Sequence, residues 1–173
     1  MSITPTLCST IVDTPIGPLT VVATDTALRA VLWPGEPIGR VPLTDVDVCG
    51  DAAQHPILGE VARQLEQYFT GDRQQFDVPL DPVGTVFQRS VWMALRSIPY
   101  GTTISYGEQA ARMGDRRKAR AVGAANGRNP ISIVVPCHRV VGSTGKLTGF
   151  AGGVDVKAWL LDHERRRTPT PKS

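Results

Sequence analysis

The sequence predicts an α+β protein, with a small amino-terminal α/β unit followed by a mainly helical one. Three observations lead there. Residues 9–33 turn and alternate like paired strands, and one amphipathic helix follows them. Beyond residue 83 the apolar spacing is mostly helical, in segments broken by Gly and Pro. The charge also changes sign there: residues 1–82 hold eleven Asp/Glu against four Arg and no Lys, and the remainder holds fifteen Lys/Arg against five Asp/Glu. The expected organisation is a support unit over 1–82, a second unit over 83–167 that carries the chemistry, and a disordered tail over 168–173.

A chain of 173 residues, 41% hydrophobic and 20% charged, can bury a core of its own. It has no apolar run of membrane-spanning length and no basic-then-apolar leader, so a cytoplasmic protein with no membrane partner is expected. Its three cysteines, Cys8, Cys49 and Cys137, fit free thiols in a reducing compartment. Neither a CxxC pair nor a His/Cys cluster occurs, so no metal and no cofactor is expected. Cys8 and Cys49 read as incidental. A polyanion would be drawn to the basic carboxy-terminal part and repelled by the acidic amino-terminal part, unless the two charges serve to hold the units together.

The first seven residues are expected to fray. Thr10–Val12 and Leu19–Ala23 read as strands about the turn Thr14–Pro18, and Leu28–Leu32 as a third. Residues 34–50, rich in Pro, Gly and Asp, read as loop with at most one short strand. From His55 to Phe69 the residues Ile57, Leu58, Val61, Leu65, Tyr68 and Phe69 share one helical face, and Gly71 ends it. His55 reads as a surface or helix-start residue. Phe76–Leu80 returns as an extended segment. After the linker Asp81–Gly84, Thr85 caps a helix whose Val86, Phe87, Val91, Trp92 and Leu95 face inward. Thr102–Ile104 is extended, Ser105 and Glu108 form a capping box for a helix to Met113, and Gly114 ends it. A further helix from Arg116 or Arg117 to Asn126 completes a helix-turn-helix pattern. Ile131–Val135 reads as a buried strand stopped by Pro136, and Val154–Arg167 as the last helix with Val156, Trp159, Leu160 and His163 on or near one face.

Two stretches carry chemistry. Cys137 stands between Pro136 and a His138-Arg139 pair, at a strand end or sharp turn, and cationic neighbours favour the nucleophilic thiolate. The helix Lys118–Asn126 is mostly Ala and Gly, and Arg112–Arg128 holds six basic residues against one Asp. A helix so thin and positive can enter a groove of about 6 Å, where little sequence information is offered. Small residues also suit tight helix packing. Asn129 before Pro130 is a turn residue able to bond backbone amides. The glycines from Gly142 to Gly153 make a close-approach loop.

Pro136-Cys137-His138-Arg139, followed by Val140-Val141-Gly142 and by Gly145-Lys146-Leu147-Thr148-Gly149-Phe150, closely resembles the O6-alkylguanine-DNA alkyltransferases. The resemblance is strong over residues 84–165 and looser through Thr14-Pro15-Ile16-Gly17-Pro18-Leu19. It implies a ribonuclease-H-like amino-terminal fold and a winged helix-turn-helix-like alkyltransferase domain. The implied partner is double-stranded DNA containing O6-alkylguanine, gripped through its minor groove by a monomer, with cooperation between copies on DNA left open. The implied reaction is direct-reversal repair, the activity of a methylated-DNA–[protein]-cysteine S-methyltransferase. The base is flipped out, and its alkyl group moves irreversibly to Cys137, once per molecule.

By the same likeness His138 and Glu164 complete a nucleophile, base and carboxylate relay, and Asn129 braces the reactive segment. Tyr106, Val140, Phe150 and Ala151 hold the guanine, through the Tyr106 hydroxyl, the Val140 carbonyl and an amide near Ala151. Arg120 fills the hole left by the extruded nucleotide, and Ala119, Ala121, Gly123, Arg128 and Ser143 also meet DNA. Phe150 stands where a tyrosine is common, and Ala151 where serine or glycine also occurs. These departures bear on polar detail and inhibitor tolerance. The residues also admit a non-catalytic alkyl-lesion sensor, a helix-turn-helix regulator with Cys137 as a redox sensor, and a Cys-His hydrolase.

Overall fold

Between Thr14 and Gly17 the chain reverses through Pro15 and Ile16. Thr14 Oγ1 accepts from Ile16 N at 3.2 Å and donates to the Gly17 carbonyl at 2.6 Å, and Gly17 takes φ +108°, open to glycine. The turn joins β1 (Leu7–Thr14) to β2 (Gly17–Ala23), and β3 (Leu28–Leu32) and β4 (Val46–Val48) complete a sheet in the order β3-β2-β1-β4. The structure, a computed structural model, describes residues 4–168. Leu7, expected in a frayed start, instead pairs with Val46 and is buried, and residues 1–3 lie outside the described ones. Phe76–Leu80 forms no strand of its own. Its end bridges to Leu28, which donates to the Pro79 carbonyl and accepts from Asp81 N.

Helix α1 (Pro56–Thr70) packs on β1, β2 and β3. His55 caps it through Nδ1, which accepts from Ile57 N and Leu58 N at 3.2 Å, and Gly71 at φ +89° ends it. Leu58, Val61, Leu65 and Tyr68 meet Leu19, Val21 and Val31 with no exposed surface. Each such Leu or Val stabilises the unit by about 1.5–3 kcal/mol.

The chain forms two units, Met1–Val83 and Gly84–Ser173. The second holds α2 (Val86–Leu95), β5 (Ile104–Ser105), α3 (Tyr106–Arg112), α4 (Ala119–Gly127), β6 (Val140–Val141) and α5 (Val154–Arg167). Thr85 and Gln88 form a reciprocal capping box on α2. Val86 is 78% exposed, not inward as expected, because the buried face starts at Val91 and continues through Trp92 and Leu95. Ser105 Oγ accepts from Glu108 N at 3.0 Å, and the Glu108 carboxylate turns to Arg112 instead of closing a box.

Helix α3 leads through Gly114 (φ +111°) and a 3-10 turn, Arg116–Lys118, into α4. Trp92 Nε1 donates to the Ala125 carbonyl at 2.8 Å, and Asn126 Nδ2 to Gln109 Oε1 at 2.8 Å. Those bonds fix α4 against α2 and α3. Residues β5 and β6 make a short parallel pair. Thr168, assigned to the tail, is tied to α5 through Oγ1 to the Glu164 carbonyl at 2.9 Å, and residues 169–173 lie outside the described ones.

Candidate active site

The stretch expected to be a strand, Ile131–Val135, is a buried turn. Val134 N donates back to the Ser132 carbonyl and Val135 N to the Ile131 carbonyl, both at 2.9 Å. Ile133 takes φ +73°, a conformation that costs a β-branched residue about 1–3 kcal/mol and persists only under constraint. Asn129 supplies the constraint. Its Oδ1 accepts from Ile131 N at 3.0 Å and its Nδ2 donates to the Val135 carbonyl at 2.8 Å, bracketing the turn. The run misled because a buried turn and a buried strand are equally apolar.

Pro136 then leads into a 3-10 turn, Cys137–Arg139, whose three residues are all buried; Cys137 is 7% exposed. Cys137 was expected at a strand end or sharp turn, and it lies in such a turn with its thiol buried. His138 and Glu164 have no exposed side-chain surface, and His138 Nε2 lies 2.8 Å from Glu164 Oε1. Glu164 also accepts from Arg139 Nε and Nη2 and from Gly101 N. Burial acts to raise the Glu164 carboxyl, but the bonds and charges of His138 and Arg139 hold it well below the usual carboxylate range. The carboxylate is ionised and accepts, so His138 carries its proton on Nε2 and leaves Nδ1 as a lone-pair acceptor. That Nδ1 is buried with no hydrogen-bond partner among the described residues. Burial pushes the imidazole below its ordinary value, against the pull of Glu164, with Arg139 and Lys157 adding to the depression.

Above this turn, Tyr106 opens α3 and faces α4: a Cβ added at Gly123 would lie 3.5 Å from the tyrosine ring. Thr148 Oγ1 reaches the Tyr106 hydroxyl at 3.5 Å. The Val140 carbonyl, expected to meet a base, accepts from Lys157 Nζ at 2.6 Å. Phe150 and Ala151 are half-buried in the loop before α5, and Ser143 is exposed in the turn Gly142–Gly145. On α4, Arg120 and Ala121 are exposed, Ala119 and Gly123 half-buried, and Arg128 exposed at the end, while Val122, Ala125 and Asn126 point inward. His138 thus bonds Glu164, Cys137 precedes His138 on the same turn, and Asn129 brackets the residues that lead into it, while Arg120 and Ala121 lie on the exposed side of α4. Two residues of this cluster escaped the sequence reading as site residues. Arg139 was seen only as a nearby cation. Lys157 was missed, although it shares helical spacing with Leu160, Leu161 and Glu164 on a buried face.

Residues 7–82 match the ribonuclease-like domain of 6-O-methylguanine DNA methyltransferase, and residues 86–166 match its DNA-binding domain. A methylated-DNA–protein-cysteine methyltransferase of Methanosarcina acetivorans is 47% identical over 155 residues, 89% of this chain and 96% of that protein. The chain belongs to the 6-O-methylguanine DNA methyltransferase family. Another relative of that name, from Mycolicibacterium paratuberculosis, is 50% identical over 161 residues, 91% of this chain and 92% of the relative. A crystal structure of Mycobacterium tuberculosis OGT in complex with DNA superposes with a TM-score of 0.82 at 44% identity, covering 94% of each chain. The buried Cys137–Glu164 cluster of this methyltransferase-family chain falls wholly within the segment matched to the DNA-binding domain. Among the described residues no helix is long and apolar enough to cross a membrane.

Proposed function

We propose that this chain repairs DNA by direct reversal: it takes an O6-alkylguanine out of the duplex and moves the alkyl group onto Cys137. The observation that carries this reading is the buried line His138–Glu164 beside a buried thiol, in a chain of this family. Neutral His138, its Nε2–H held by the ionised Glu164, offers Nδ1 as the base that takes the Cys137 proton, directly or through one water. The thiolate sulfur forms a bond to the alkyl carbon as the carbon–O6 bond breaks. The bonding pair passes to the guanine, which ends with one proton gained. The Tyr106 hydroxyl would donate that proton and be reprotonated, through solvent, by the one that His138 took from Cys137.

The product at Cys137 is a neutral thioether, a poor leaving group, so each molecule accepts one alkyl group. The thiol is itself the acceptor and the reaction needs no cofactor. Asn129 has a positioning role: it holds the strained turn that aims the cysteine. Docking falls to α4, whose exposed Arg120, Ala121 and Arg128 combine small width with positive charge, suited to the minor groove and to holding the duplex open behind a flipped base. Phe150, Ala151, Val140 and Tyr106 would line the base slot, with Ala119, Gly123 and Ser143 near the DNA backbone. A cytoplasmic setting goes with this chemistry and is supported by three cysteines held as thiols.

The test is intact mass after incubation with duplex DNA carrying O6-methylguanine. The expected result is one methyl group per chain, on the peptide containing Cys137, and none on the Cys137→Ala variant. An unchanged mass with the lesion still in the DNA would overturn the reading.

A further inference from the structure

Strand β1 is longer than its partner on one side. It pairs with β2 from Cys8 to Thr14, but with β4 only from Leu7 to Ser9. The Ser9 carbonyl accepts from Cys49 N at 2.8 Å, and there the ladder stops. In a strand with neighbours on both sides, alternate residues turn their backbone groups to alternate sides. Ile11 and Asp13 therefore aim N–H and C=O the way Ser9 does, past the end of β4. On that side they meet no hydrogen-bond partner among the described residues. A bare strand edge is a template for another strand, and proteins ordinarily cover or block it.

This edge forms one wall of a cleft of about 580 Å³, and α1 forms the other through Ala62, Glu66 and Phe69. Ligand sites occupy roughly 300–1,000 Å³, so the cleft is large enough to hold one. Ile11 lines it and is 67% exposed. Asp13 and Glu66 also line it, are exposed, and form no ion pair among the described residues. Arg63, the cation of the cleft, is held by Glu60 through Nε at 2.9 Å. The cleft thus offers an unused backbone edge, an apolar side chain and two unanswered carboxylates.

We infer that the cleft between β1 and α1 is a docking site for an extended basic segment of a partner protein. The segment adds to the sheet as a strand along Ile11–Asp13 and sets Lys or Arg against Asp13 and Glu66. At about 3.3 Å per residue the run from Thr10 to Thr14 spans about 13 Å, room for about four residues of added strand. A nucleic acid would be repelled, because residues 1–82 hold eleven Asp/Glu against four Arg. A second copy pairing edge to edge would bring the same carboxylates together. The end of this chain carries Pro169 and Pro171, which lack the donors an added strand needs.

The probe is a short capped peptide of alternating Val and Lys, added at up to millimolar concentration to the isotopically labelled full-length protein. The amide resonances of Ile11 and Asp13 are expected to move, and their exchange with solvent to slow. The same peptide with every amide N-methylated keeps its charge, loses its strand edge and should not bind. A peptide with Glu in place of Lys should not bind either. Asp13→Lys combined with Glu66→Lys should weaken binding on the order of tenfold, as two exposed ion pairs are lost and reversed, with alkyl transfer unchanged. Unmoved Ile11 and Asp13 resonances would overturn the site, and equal binding of the methylated peptide would overturn strand addition. Equal binding of the Glu peptide would overturn the basic partner, and both peptide controls decide even if the double variant fails to fold. A parent protein that sediments as a dimer, with those two amides already protected, would give the edge to a second copy and overturn the inference. Transfer to Cys137 takes no part in these measurements, so they stand whether or not the chain repairs DNA.

Discussion

Among the described residues, the polar side chains withdrawn from solvent in the first unit are Thr24 and Gln64. In the second they are Gln109, Asn126, Asn129, Ser132, His138, Arg139, Lys157, His163 and Glu164. Thr24 bonds the turn residues beside it, and Gln64 ties α1 to the Asp77 backbone at 2.8 and 3.0 Å. Both are fasteners in an apolar sheet-and-helix core. The second unit instead buries an anion, two cations and a neutral imidazole around one thiol. Each ion costs several kcal/mol to desolvate, so a fold that keeps them together trades stability for a fixed charge pattern. This chain separates scaffold from chemistry: one half is held by hydrophobic burial, the other is held and also strained by its site.

The largest effect is expected at Glu164. Replacing it with Ala leaves Arg139 and His138 buried without their acceptor and should cost about 3–5 kcal/mol of stability in the second unit. Methyl transfer should also fall by about 10²–10⁴-fold, the usual reach of a lost acid–base partner. Urea denaturation and single-turnover kinetics measure the two effects. The matching change in the first unit is Leu65→Ala, a cavity in the sheet-and-helix core expected to cost about 2–5 kcal/mol. Its transfer rate per folded molecule should equal that of the parent, and a slowed rate would end the separation of roles.

Acid should distinguish the units next. In the folded chain His138 is held below its ordinary value of 6.5, so between the two values the unfolded chain binds more protons and stability falls as pH drops. Glu164, depressed from 4.5, adds a loss in the same direction at lower pH, as the carboxylate is forced to protonate. Hydrogen exchange followed by mass spectrometry should therefore show peptides of the second unit losing protection below about pH 6.5 before those of the first. Equal loss in both halves would contradict the assignment. The smallest effect is expected at Arg120, exposed and outside the buried cluster. Arg120→Ala should slow repair of duplex DNA on the order of tenfold, part of the cost of unstacking a base, and leave reaction with free O6-methylguanine unchanged.

Much of this molecule was legible in residue order, because the signals were local. Helix ends are written in short-range chemistry: Thr85 with Gln88, Ser105 before Glu108, Gly71 and Gly114 at left-handed φ. The bounds of β3 and of α5 agree with the expected Leu28–Leu32 and Val154–Arg167 for the same reason. The Pro136–Arg139 motif singled out, from residue order alone, the thiol proposed as the alkyl acceptor. Tertiary structure alone decided what depended on distant partners. It turned Ile131–Val135 from a strand into a clamped turn, since Asn129 and not a neighbouring strand satisfies its backbone. It joined His138 to Glu164, 26 residues apart. It also put Lys157 inside, where composition alone would place a lysine in water. Local propensity can write caps and turns into the order of residues. The state of a buried charge is set by the groups that folding gathers around it, and those come from the whole chain.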